Sequence, residues 1–222
     1  MNLILLGPPG AGKGTQAAAI VRSTGLPHIS TGNIIREAIA KDTPLGREFK
    51  AYAESGRLVP DELVNRLVEE RLGREDCAHG FLLDGYPRTI AQALELDGVL
   101  GRRGRSLDHV LLLDVADAVL IERITGRRTD PETGRVYHLT FDPPPAGIAR
   151  RLVQRADDSE DVLKRRLSEY HEKTDPLIPY YEEAGLLRRV AGTGSVTDVQ
   201  RRTLAVLTSV PAGPTHTVGA RS

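Results

Sequence analysis

The chain has 222 residues, 40% hydrophobic and 27% charged, with 30 basic residues set against 30 acidic ones. Zero net charge removes any global attraction to nucleic acid or anionic membrane, no apolar run approaches the ~20 residues of a membrane span, and the single cysteine, Cys77, rules out an intrachain disulfide or a cysteine-rich metal site. One domain of ordinary soluble composition, with room for an insertion, is expected. The amino terminus has no basic n-region and too short an apolar stretch for a signal h-region, which points to the cytoplasm.

Residues 3–6 are aliphatic and read as a buried parallel strand. They run into Gly7-Pro8-Pro9-Gly10-Ala11-Gly12 and then Lys13. A turn accounts for the glycine and proline. It does not account for Gly7, Gly12 and Lys13 at the spacing G-x-x-x-x-G-K, which lets backbone N–H groups wrap a phosphate with a helix N-terminus aimed at the same anion. The lysine then reaches the outer phosphates. The general pattern has Ser or Thr after the lysine; here Gly14 follows it and Thr15 comes one later.

A helix over 12–24 ends at Gly25, a short strand covers 28–30, and helices cover 31–41 and 44–55. The helix over 60–73 has Pro60 at its start, Asp61 and Glu62 in its first turn, and Leu63, Val64, Leu67, Val68 and Leu72 on one stripe. A strand over 81–84 ends in Asp84, a helix spans 89–100, a strand 109–115 and a helix 117–125. From 126 to 158 the texture turns to Arg, Pro, Gly and Thr. A turn at 130–134, flanked by Arg127-Arg128 and by Arg135-Val136-Tyr137-His138, reads as a hairpin, and Pro143-Pro144-Pro145 bars a continuous helix. A long helix over 159–184 is expected to kink or break at Pro176 and Pro179. A strand over 186–190, a helix over 196–207 and a frayed tail over 209–222 complete the chain.

Five short apolar strands joined by helices imply a parallel sheet with helices on both faces. Ligands in such folds sit at the carboxyl ends of the strands, where Gly7, Thr31, Asp84 and Gly192 all fall. A carboxylate such as Asp84 beside a phosphate loop suits Mg²⁺, directly or through water. Arg88 follows a Tyr86-Pro87 pair that stiffens the chain. Arg123 and Arg127, four apart, share one helix face. Arg155 and Arg166 flank the next helix, with Asp157 and Asp158 near enough to hold arginines in place. His138, His171 and Cys77 are given packing or surface roles.

Taken together, GPPGAGKGTQ, ISTGNIIRE, GRLVPDELV, GFLLDGYPRT, GRRTDPETGRVYH and RADDSEDVLKRRLSEYH resemble the adenylate kinases of the long, lid-bearing type, in that family's order over residues 1–207. Family members carry GKGT at the loop, so Gly14 is expected. The resemblance implies an α/β, P-loop nucleoside-triphosphate-hydrolase-like fold with a five-stranded parallel sheet. Its core would be 1–29, 60–125 and 159–208, with a monophosphate-binding lobe at 30–59 and a lid at 126–158. The implied reaction is Mg·ATP + AMP ⇌ 2 ADP, in a monomer with nucleotides as its partners.

By the same resemblance, Gly10, Ala11, Gly12, Lys13, Gly14 and Thr15 hold ATP phosphates and Arg127 clamps them. Arg123, Val136 and Tyr137 pack on the ATP adenine or ribose, and the Gly194 carbonyl touches adenine. Thr31 and Arg36 contact AMP, and the backbone of Arg57, Leu58 and Val59 lines its base pocket. Gly85, Tyr86, Pro87, Arg88 and Gln92 complete that site, with Gln92 reading the adenine edge. Arg155 and Arg166 bridge toward the transferring phosphoryl. Lys13, Arg88, Arg123, Arg127, Arg155 and Arg166 supply catalytic charge, and Asp84 holds Mg²⁺ through water. Such a transfer needs in-line positioning and positive charge more than covalent help.

The lid departs from the family pattern. Many members hold zinc there through two pairs of ligands, mostly cysteines; here the first pair falls on Asp130 and Thr133, and Ile148-Ala149-Arg150 in the shortened second half offers none. A zinc-free lid is expected, with half of a polar substitute in view. A UMP- or CMP-type kinase is the alternative, though those relatives usually have shorter lids and the Thr31/Gln92 pair suits adenine. A nucleotide switch has no use for a second anion clamp made of Arg36, Arg88, Arg155 and Arg166.

Overall fold

Strand β1 (Asn2–Leu6) is buried along its whole length. Alternation along a strand sends Leu3 and Leu5 to one face of the sheet and Ile4 and Leu6 to the other. Leu3 and Leu5 join a cluster with Ala17 and Ile20 of α1 (Lys13–Thr24) and Leu204 of α9 (Val196–Thr208). Ile4 and Leu6 join a larger one with Val64 and Val68 of α4 (Asp61–Leu72) and Ala93 and Leu96 of α5 (Ile90–Arg102). An uninterrupted aliphatic strand is thus used on both faces, each fully buried side chain contributing about 1.5–3 kcal/mol.

The computed structural model describes residues 1–55 and 57–208; the tail over 209–222, read above as frayed, lies outside them. The remaining elements are β2 (His28–Ser30), α2 (Thr31–Ala40), α3 (Pro44–Ser55), β3 (Phe81–Asp84), β4 (His109–Asp114), α6 (Asp117–Thr125), β5 (Arg127–Thr129), β6 (Val136–His138), α7 (Glu160–Lys173), α8 (Leu177–Glu183) and β7 (Leu187–Ala191). The main sheet has the order β2-β3-β1-β4-β7, every pair parallel. The register sets Leu5 beside Asp84, Ser30 beside Asp84, and Leu6 beside Leu112, so the carboxyl ends of the strands share one edge. The five-stranded α/β sheet expected from the sequence is therefore present.

Two segments stand off this core. Helices α2 and α3 pack on each other between β2 and α4, and Gly46 permits the contact because a Cβ there would clash with the Ala38 carbonyl. The antiparallel pair β5–β6 lies between α6 and α7 in sequence, with Arg128 opposite Tyr137.

The helix expected over 159–184 does break at Pro176, into two helices. Helix α7 stops at Thr174, whose N–H still reaches Tyr170 O at 2.8 Å. Pro176, which lacks the N–H to continue the ladder and disfavours an α conformation at Asp175, ends the run. Pro179 breaks nothing: it is the third residue of α8, where a missing N–H belongs to the set with no intrahelical partner. The break has a use, since it turns the Thr174 hydroxyl toward the Arg88 carbonyl at 2.8 Å.

Candidate active site

The loop after β1 is shaped by two glycines with left-handed backbones, Gly10 at φ 87° and Gly12 at φ 94°. A side chain on Gly10 would also press on Ile124 of α6 at 2.9 Å. Ala11 is buried against Leu113 and Val115, anchoring the loop to the core. Gly12 caps α1, whose first turn carries no acidic residue and leaves Gly14 and Thr15 exposed. The helix N-terminus is thus an uncompensated positive end, the local requirement for an anion site. Lys13 Nζ donates to the carbonyls of Gly7 (2.6 Å) and Pro8 (2.9 Å), which places the ammonium inside the curl of the loop.

Beside the loop lies a cavity of about 520 Å³, a size suited to a small organic ligand. Of the residues expected around AMP, Thr31, Arg36, Arg57, Leu58, Val59, Gly85, Pro87, Arg88, Gln92, Arg155 and Arg166 line it, together with Lys13. The AMP residues come from α2, the 57–59 segment, the β3–α5 connection with the start of α5, the second lobe and α7, five separate stretches of chain. Tyr86 differs from expectation: it is 2% exposed, packs in the core and donates to Asn65 Oδ1 at 2.8 Å, so it supports the wall from behind.

Apart from Lys13, the residues expected around ATP stand outside that cavity, along the loop, the end of α6, the second lobe and the turn after β7. Arg123 donates to Gly192 O at 2.9 Å, tying the end of α6 to the loop after β7, where Gly194 has a left-handed backbone. Arg127 pairs through two hydrogen bonds with Asp158, which is fully buried. Val136 is 38% exposed, whereas Tyr137 is buried and its ring lies under the Arg135 guanidinium at 4.6 Å.

The cations of this region act on one another. Burial above all, opposed by Asp84 and reinforced by Arg88, Arg166 and Arg127, lowers Lys13 to about 8. Burial, with Arg166 nearby, brings Arg88 to about 10; burial, with Arg127 and Arg36, does the same to Arg155. Arg36 and Arg166 are lowered for the same first reason. Asp157 answers part of this charge, accepting from Arg166 at 2.7 Å, and these arginines hold its carboxyl below the usual range despite burial, which raises it. Crowded, desolvated cations outnumbering their carboxylates are stabilised by a polyanion that enters among them.

Asp84, 8% exposed, closes β3 next to Lys13. Burial raises its carboxyl, but a hydrogen bond from His28 at 3.3 Å and the charges of Lys13 and Arg88 outweigh this and keep it ionised. A lone carboxylate beside a phosphate loop matches the donor set of Mg²⁺, which keeps waters and takes phosphate oxygens; it is too sparse for zinc. Among the described residues no group of three or more His, Cys, Asp or Glu is placed to hold a metal ion.

In the second lobe, Asp130 is 1% exposed and accepts from Arg151 Nη2 (2.7 Å), the Thr133 hydroxyl (2.8 Å) and the Glu132 N–H (3.1 Å). Arg151 also pairs with Glu132 at 2.5 Å, and Thr129 and Val153 exchange backbone hydrogen bonds. The half of the network not visible in the sequence is therefore an arginine, one residue beyond Ile148-Ala149-Arg150. The hydrogen bond from Arg151, with Thr133 and Glu132 assisting, holds the Asp130 carboxyl down at about 2. Its folded pKa lies below its unfolded value of 3.8, so the stabilisation is fully present above pH 4 and is lost as pH falls through about 2. Arg151→Met is expected to speed amide exchange within residues 127–154 at neutral pH while the sheet strands keep their protection. Equal loss of protection throughout would show that Arg151 does not stiffen this lobe locally.

Sequence reasoning passed over three groups besides Arg151. Asp61 receives hydrogen bonds from Thr89 and Gln92, Glu169 accepts the Leu58 N–H at 3.4 Å, and Tyr170 lines the cavity. All three lie within the motifs quoted above, but only their packing partners single them out.

A family model described as adenylate kinase matches residues 5–186. The chain is 48% identical over 212 residues to an adenylate kinase of Geotalea daltonii, covering 93% of this chain and 99% of that one. It is 51% identical over 212 residues to an adenylate kinase of Geobacter sp. strain M21, with the same coverage. It is also 50% identical over 204 residues to one of Moorella thermoacetica, covering 90% of this chain and 94% of the relative.

Proposed function

The chain belongs to the adenylate kinase family, and on that premise we propose that it catalyses the reversible transfer Mg·ATP + AMP ⇌ 2 ADP. The observation that carries this reading is the cavity beside the phosphate loop. A phosphate loop alone would serve a hydrolase or a switch. Here a base-sized pocket opens beside Lys13, with Arg36, Arg88, Arg155 and Arg166 in its wall.

In this reading ATP phosphates lie on the loop from Gly10 to Thr15, AMP fills the cavity, and the transferring phosphoryl passes between them. An AMP phosphate oxygen attacks the terminal phosphorus of ATP, the bond from that phosphorus to the bridging oxygen breaks, and two ADP leave. The attacking oxygen is already anionic, so no general base is needed. Lys13, Arg88, Arg123, Arg127, Arg155 and Arg166 are the groups assigned to the spreading negative charge. Mg²⁺, carried in with ATP and held through water by Asp84, would add charge neutralisation at the phosphates. Residues 30–59 serve as the AMP-binding lobe and 126–158 as the lid, whose closure keeps water, the competing acceptor, out of the site. All the protein groups required come from one chain, which supports a monomer acting on free nucleotides.

The direct test is product analysis with Mg·ATP and, separately, AMP, GMP, CMP and UMP. Two ADP formed per AMP consumed, with the other monophosphates nearly inert, is the expected outcome. Rapid turnover of UMP or CMP would move the reading to a pyrimidine monophosphate kinase, and ADP formed with no acceptor present would make the protein a hydrolase.

A further inference from the structure

The side-chain amide of Gln92 is held by the protein at both ends. Its Oε1 accepts from the Arg88 backbone N–H at 2.7 Å, and its Nε2 donates to Asp61 Oδ1 at 2.7 Å. Asp61 is the first residue of α4, and its other oxygen accepts from the Thr89 hydroxyl at 2.6 Å. That hydroxyl in turn accepts the Gln92 backbone N–H at 3.1 Å. A backbone N–H can only donate and an ionised carboxylate can only accept, so one of the two orientations of the amide satisfies both neighbours. Turned by 180°, Oε1 would face the carboxylate and Nε2 would face the N–H. Gln92 is 1% exposed, so water cannot relieve either contact.

Each end keeps one capacity beyond these bonds: a second hydrogen on Nε2 and a second lone pair on Oε1. Adenine offers the matching edge, an amino donor at position 6 beside a ring-nitrogen acceptor; guanine carries an acceptor at position 6 instead. We propose that Asp61, which does not itself line the cavity, is a specificity-determining positioning residue. By fixing the orientation of the Gln92 amide, it makes the monophosphate site select a 6-aminopurine over a 6-oxopurine. The inference rests on the reading that Gln92 faces the acceptor base. A 6-oxopurine then meets Oε1 lone pair to lone pair, and the flip that would relieve this is barred by Asp61 from one side and by the Arg88 N–H from the other.

The test measures kcat and KM for AMP, GMP and IMP at saturating Mg·ATP in the parent protein, Asp61→Asn and Gln92→Leu. An asparagine amide can turn to donate as well as accept, so one of the two bars on the flip is lifted. Asp61→Asn is expected to lower the AMP:GMP and AMP:IMP ratios of kcat/KM by roughly tenfold. The change is expected in KM for the monophosphates and not in KM for ATP. A purely structural role, as an acidic residue in the first turn of α4, would lower the melting temperature and slow all three acceptors equally; that result overturns the proposal. If Gln92→Leu collapses the ratio while Asp61→Asn preserves it, the reading of Gln92 stands and the role of Asp61 falls. If Gln92→Leu leaves the ratio unchanged, the base does not meet Gln92 and both fall. Should the asparagine variant not fold, Asp61→Ser, which draws the acceptor away from Nε2, reads the same ratio.

Discussion

Replacing Lys13 with methionine is expected to lower kcat/KM for ATP by about 100- to 1,000-fold, the range for removing one preorganised electrostatic group, and at the same time to raise the melting temperature. Both follow from the ammonium's position inside the loop. Methionine keeps most of the stem and its packing but loses the charge that would meet the phosphates. The charge is also a burden on the fold, because burial and the arginines around it bring Lys13 from 10.5 to about 8. A shift of that size corresponds to about 3 kcal/mol of destabilisation at neutral pH, and each kcal/mol is worth about 2–4 °C in a chain this long. The sign can be checked. Between pH 8 and 10.5 the unfolded chain binds the proton and the folded one does not, so the parent's stability rises with pH across that window. The gap in melting temperature between parent and variant is expected to narrow there, while the parent's kcat/KM for ATP falls above pH 8 as the ammonium loses its proton. A variant less stable than the parent at pH 7 would mean that the hydrogen bonds to Gly7 and Pro8 outweigh the desolvation of the charge.

Arg88→Ala is expected to cut kcat/KM for AMP by a comparable 100- to 1,000-fold with little effect on folding. The guanidinium lies in the cavity wall among Arg166, Asp84 and Asp157, and its Nε donates to Gly85 O at 2.8 Å. Removing it sacrifices that bond but relieves its repulsion with Arg166, so the two effects on stability oppose each other. The backbone N–H that orients Gln92 and the carbonyl held by Thr174 both survive the substitution. The loss is therefore expected in the chemistry more than in recognition of the base. Arg88→Lys restores a point charge without the planar two-pronged donor and is expected to recover part of the rate. An alanine variant that turns AMP over within a fewfold of the parent rate would remove Arg88 from the set of groups stabilising the transferring phosphoryl.

The way Arg88 is held shows how far a linear reading reaches. Its position after a strand-end Asp84 and a rigid Tyr86-Pro87 is visible in the chain. The hydroxyl that fixes its carbonyl belongs to Thr174, 86 residues on; the break near Pro176 was legible in the sequence, but the partner it brings to Arg88 was not. Tyr86 lies two residues from Arg88 and was expected in the site, yet its ring is spent on the core. In the second lobe Asp130 and Thr133 were recognised as one half of a bracing network. Arg151 was not, because an arginine does not replace a metal ligand atom for atom; it reaches Asp130 with a long side chain across 21 residues of chain.

The sequence by itself determined whatever depends on near neighbours. The spacing of Gly7, Gly12 and Lys13, the aliphatic runs of β1, β3 and β4, the stripe on α4 and the turn at 130–134 each encode a local backbone preference or a periodicity, and those physical signals act over a few residues. They were enough for the parallel sheet, the phosphate loop and the set of arginines. The tertiary structure alone decided which side chains meet across long stretches of chain. It joined Asp61 to Gln92 and Thr174 to Arg88, and it decided which of the anticipated Asp157 and Asp158 holds Arg166 and which holds Arg127. Such pairings are settled by the packing of helices on a sheet and by the need of every buried polar group for a partner, and neither leaves a mark in the spacing of residues along the chain.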